Sequence, residues 1–159
     1  MAGRGRVLSP AGSLVDAVEA AVAAAIVAQD QGYARCVERL AAHDPAQLRV
    51  VLGSVVRSLL ETLHPAGLTG GDVGLILSRC VRSAEPWTDV EPAALVVVLT
   101  GSLGVLDAED QPVTLAPGHI ARHAPLLIAD LLSVSGQHLS PVLVAALAEV
   151  ERAETVEMP

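Results

Sequence analysis

The sequence predicts an all-α domain, a compact bundle of six or seven helices around a central apolar helix. Three observations predict it. Apolar residues recur at three- and four-residue steps along most of the chain, which is the repeat of one helix face. Helix-start signals precede those stretches: Asp44-Pro45, Glu91-Pro92, Ser140-Pro141 and the Thr69…Asp72 pair. The Gly and Pro residues gather in short connections between them. The alternative is an α+β domain with a small hairpin near 95–115.

Residues 1–9 carry no periodicity and are expected to form a flexible tail. From Ser13 onward Leu14, Val18, Val22, Ala25 and Ile26 follow the helical period, and Tyr33, Cys36, Val37 and Leu40 continue it. Gly32 either divides this stretch into two helices or weakens one, because glycine costs about 1 kcal/mol inside a helix. Pro45 opens the next helix, with Leu48, Leu52, Val55, Val56, Leu59 and Leu63 on one stripe, ending before Pro65. After a Gly- and Pro-rich loop, Thr69 caps a helix whose buried face is Val73, Ile76, Leu77, Cys80 and Val81. Arg79 and Arg82 lie near its C-terminus, where positive charge suits the helix dipole.

A loop at Glu85–Asp89 carries Trp87, and a helix starts at Pro92. No charge occurs from Ala93 to Leu106. A helix apolar all round is expected at the centre of a bundle, packed on several sides. The β-branched Val96, Val97 and Val98 carry the strand alternative, with the hairpin turn at Ala108–Gln111. Pro117 opens a further helix, interrupted or kinked at Pro125, that runs to about Leu132. Val142, Leu143, Ala146, Leu147 and Val150 line the last one. The expected organisation is therefore one helical domain over 10–152, followed by an acidic tail at 153–159.

Composition narrows the function. The chain has 159 residues, is 52% apolar and only 18% charged, and carries a net charge of −8. Its cations are all arginine, and it has no Phe, one Trp and one Tyr. An acidic chain without stacking aromatics is not built to hold nucleic acid. Drawing Pro45–His64 and Gly70–Ser83 as a helix-turn-helix does not change this. The base-reading end of the second helix offers Gly70, Gly71 and Asp72, with no donor for a guanine edge. No stretch reaches the ~20 apolar residues of a membrane span. Asp16 and Glu19 interrupt the place where a secretory signal would be apolar, so a cytoplasmic protein is expected. Cys36 and Cys80 read as buried free thiols rather than a disulfide framework.

Motifs for catalysis are missing. The Gly67–Gly74 run follows a helix, not a strand, and no lysine exists to complete a phosphate loop. Gly101-Ser102-Leu103-Gly104 lacks the nucleophile-elbow pattern. Nothing calls for a cofactor. Two candidate sites remain. His119 and His123 share a helix face with Asp130, a set that could hold Zn or Fe. Tyr33, Cys80 and Trp87 could line an inter-helix pocket for a small apolar or acidic ligand, with Arg79 or Arg82 fixing an acid group.

The shortage of charge carries the functional expectation. Helices this apolar leave surface that a lone small domain has no interior to hide, and such surplus marks an interaction site. The expected function is a non-enzymatic helical protein-interaction or regulatory module that associates with itself, as a homodimer, or with another protein. The alternatives are a small-molecule-binding bundle and, behind it, a His/carboxylate metal enzyme.

Overall fold

The computed structural model describes residues 10–104 and 117–156. These form seven helices: α1 (Pro10–Val27), α2 (Asp30–Ala41), α3 (Pro45–Leu63), α4 (Gly70–Ala84), α5 (Pro92–Ser102), α6 (Pro117–Ser135) and α7 (Leu139–Val156). No strand occurs among the described residues, so Val96–Val98 are helical. The expected N-terminal tail at 1–9 and the hairpin turn at 108–111 lie outside them.

The helix at the centre is α6, not the charge-free stretch that follows Pro92. It packs on α1, α2, α3, α4 and α5. From Ile120 to Leu132 every residue is buried except Arg122 and Ala129, which are half-buried. Pro125 does not interrupt it. Burial on nearly every side outweighs the one hydrogen bond the proline removes. By contrast α5 buries Ala94, Leu95, Leu99 and Ser102, while Val96 is 40% exposed. Lack of charge let α5 sit anywhere; it lies across the seam of α3 and α6, with α4 at its edge. Gly53 of α3 faces Ser102 there, so the two backbones approach closely.

Helix starts follow the sequence signals. Thr69 and Asp72 form both bonds of a capping box. Pro45 and Pro92 occupy the first turns of α3 and α5. The last helix begins at Leu139, one position ahead of the Ser140-Pro141 signal, and continues through Val156 into the stretch expected as a tail. The break between α1 and α2 does not fall at Gly32, which sits inside α2. It falls at Ala28, whose φ of 60° places an alanine in the left-handed region.

α3 buries two adjoining faces, because α6 covers one side and α7 and α5 the other. That is why Val51, Ser54 and Leu60 join the predicted stripe, while Leu63 at the end is only half-buried.

Candidate functional site: the cleft between α1, α4 and α6

The C-terminal end of α1, the C-terminal half of α4 with the turn after it, and the middle of α6 border an open cleft of about 230 Å³. Ala25, Ile26 and Ala28 form one wall, Cys80 and Trp87 a second, and Leu126, Ala129 and Asp130 the third. A neighbouring groove of about 400 Å³ runs between α1, α6 and the start of α7. The two share Ile26, Ala129 and Ser133. Ile26 therefore stands as a ridge between two hollows, 63% exposed.

Trp87 is fixed from behind. Its indole N–H donates to the Ser83 carbonyl at 3.0 Å. Its ring meets Tyr33 edge-to-face, with centroids 5.3 Å apart and planes at 81°. Tyr33 is fully buried, and its hydroxyl donates to the Arg122 carbonyl of α6. Burial holds that phenol protonated, far above its usual range. Tyr33 thus supports the cleft wall without lining it.

Asp130 is the one charged side chain in the wall. Arg79 grips it: Nε donates to both carboxylate oxygens at 3.0 Å and Nη2 to Oδ2 at 2.8 Å. The carboxylate is 5% exposed and the guanidinium 40%. Those hydrogen bonds, more than the Coulomb attraction, raise Arg79 above its ordinary pKa and hold it charged. Cys80 beside them is inert as a nucleophile. Burial first, and then the Asp130 charge, push its thiol up to about 12.

The two residue sets read from sequence are thereby rearranged. Of the pocket set, Cys80 and Trp87 line the cleft, Tyr33 backs it and Arg79 is spent on Asp130. Arg82 is exposed, with no hydrogen bond or ion pair among the described residues. No free guanidinium is left in the wall to fix an acid group.

The metal set is not assembled. Among the described residues no group of three His, Cys, Asp or Glu stands together as metal ligands. His123 is 1% exposed and both ring nitrogens are taken. Nδ1–H donates to the His119 carbonyl at 2.8 Å, and Nε2 accepts the Glu91 backbone N–H at 3.0 Å. His119 stacks on His123 with centroids 5.9 Å apart, and its Nδ1 lies 3.3 Å from the Glu91 carboxylate. The contact is not aligned as a hydrogen bond. Glu91, just ahead of α5, therefore holds that helix's start against both histidines. This is a packing device that joins two helices, and Asp130 belongs to a different partner.

Sequence reasoning missed Ala25, Ala28 and Leu126. Nothing separates them from any other apolar residue until α1, α4 and α6 are placed. Asp130 did carry a signal, as the lone carboxylate inside the apolar run Leu126–Leu132.

No known protein family, curated protein or solved structure shows a significant match to the chain.

Proposed function

We propose that the chain is a non-catalytic helical interaction module that associates with a second copy of itself through the surface formed by the ends of α1 and α6. The observation that carries this reading is the exposed Ile26 ridge between the two hollows, with further apolar exposure at the ends of the same two helices. Ile26 and Val27 are each 63% exposed and Val134 is 49% exposed. Apolar side chains gathered around concave surface are the composition of an interface.

Two further features support it. A ridge beside a hollow suits a two-fold interface, in which Ile26 of each copy enters a hollow of the other. In the α1/α4/α6 hollow the charge is also compensated, since Asp130 is neutralised by Arg79, which leaves Glu19 as the one carboxylate lining the neighbouring groove. Two copies of an acidic chain can meet here with little local repulsion. Ala28 adds a strained left-handed alanine at the edge of the same surface.

Light scattering on the purified chain at micromolar concentration tests the proposal. The expected mass is that of a dimer, and Ile26→Glu is expected to reduce it to a monomer. Leu75 of α4 is also exposed, at 68%, but lies outside both hollows. Leu75→Glu is therefore expected to leave the dimer intact. A wild-type monomer, or equal effects of the two variants, overturns the proposal.

A second reading, ligand binding within the bundle, is favoured by one specific observation. An ion pair with its carboxylate buried lies in the wall of a mainly apolar cleft, lined also by Ser83 and Ser133 and already shaped around a rigid tryptophan.

Across the described residues, no helix is long and apolar enough to cross a membrane.

A further inference from the structure

The geometry points to a neutral, single-ring aromatic molecule carrying an O–H or N–H donor as the ligand of the α1/α4/α6 cleft, recognised by Asp130. The inference rests on the ligand-binding reading above.

Size comes first. The cleft of about 230 Å³ exceeds a cavity that holds benzene, roughly 150 Å³, and falls below the ~300 Å³ at which drug-sized sites begin. One substituted ring fits it. The shape of the wall comes second. Trp87 is held by the Ser83 carbonyl and by Tyr33, so its indole is a fixed surface against which a ring can pack. A preordered wall costs little to organise on binding.

Polarity decides the class. A carboxylate has about four acceptor positions. Asp130 Oδ2 takes two hydrogen bonds from Arg79, while Oδ1 takes a single one. A buried ion pair is favourable when its remaining lone pairs are satisfied. Oδ1, with a single protein donor, has acceptor capacity left for a ligand donor. A carboxylic acid ligand would bring a second carboxylate against Asp130, and Arg79 is not free to receive it. A cationic ligand would find the Asp130 charge already balanced. A neutral donor is what remains.

The probes are phenol, toluene and benzoate, titrated into the ¹⁵N-labelled chain and followed by NMR. Trp87 is the single tryptophan, so its indole N–H signal is unambiguous. Phenol is expected to shift that signal with a dissociation constant on the order of 1 mM. Toluene is expected to bind about tenfold more weakly, because it leaves the acceptor unpaired. Benzoate is expected to cause no saturable shift. Filling the cleft by Ala129→Leu should abolish the phenol shift while the rest of the spectrum keeps its dispersion. Equal affinities for phenol and toluene would overturn recognition by Asp130 and leave the cleft as an unselective apolar site. No saturable shift with any of the three would overturn the ligand-binding reading together with this inference.

Discussion

At His123 a buried imidazole accepts one hydrogen bond and donates another, and it can do both only while neutral. Burial is the main cause holding its pKa below 6.5, opposed by the hydrogen bond to the His119 carbonyl and by the Glu91 carboxylate. Protonation would put a donor on Nε2 opposite the Glu91 N–H. The unfolded chain, with an ordinary histidine, takes up the proton at higher pH than the folded one. Folding stability from this residue is therefore complete at neutral pH and above, and declines as pH falls below about 6.5. Gln at 123 can accept from Glu91 and donate to the His119 carbonyl without titrating. Urea unfolding from about pH 7.5 to about pH 5.5 should show the wild type losing more stability than His123→Gln. Parallel curves would contradict the assigned hydrogen bonds. Much at this scale was legible singly but not in pairs. Arg79 and Asp130 were both recognisable as charges in apolar stretches, yet the sequence assigned them to different sites. They lie 51 positions apart, and only the packing of α4 on α6 brings them together. The histidines do share one face and stack, but Glu91, which occupies them, comes from the loop ahead of α5.

Among the elements, the starts of helices were the most readable feature because their signals are local. A capping hydroxyl, a proline with no N–H to lose and an acid in the first turn act within four residues. Thr69→Ala removes the side-chain half of the α4 capping box and should cost about 1 kcal/mol in chemical unfolding. The identity of the central helix was not readable. Freedom from charge marks α5 as tolerant of burial, but what lies around a helix is decided by its neighbours. Asp130 and His123 put polar groups inside the central α6, and each has its charge or polarity answered by a partner. Truncations separate the two positions. Leu131→Ala in α6, fully buried, should cost about 2–5 kcal/mol. Val96→Ala in α5, 40% exposed, should cost about 0.5 kcal/mol or less. The opposite order would place α5 at the centre. The α1–α2 break had no sequence signal either, since alanine seldom takes a positive φ. Replacing Ala28 with Gly relieves the left-handed strain and should raise stability by up to about 1 kcal/mol, against some loss from the freer unfolded chain.

For the whole molecule, the low charge that suggested surplus apolar surface has a definite location. Much of the 52% apolar composition is absorbed by α3 and α6, and alanines at the surface account for more. What is left over is not spread evenly. Leu75, Val96 and Val144 stand on separate helices, and scattered apolar residues of that kind are ordinary surface. Ile26 instead borders two hollows, beside a compensated ion pair and a strained turn, and Val27 and Val134 are exposed at the ends of the same two helices. Isoleucine methyl NMR reports on association through that surface residue by residue. The chain has four isoleucines. Ile76, Ile120 and Ile128 are 3%, 8% and 0% exposed, and Ile26 is 63% exposed. On dilution from millimolar to low micromolar concentration, a dissociating dimer is expected to move or sharpen the Ile26 methyl signals while the Ile128 signals stay fixed. Ile26 signals that are independent of concentration, in a chain that sediments as a single subunit throughout, would contradict it.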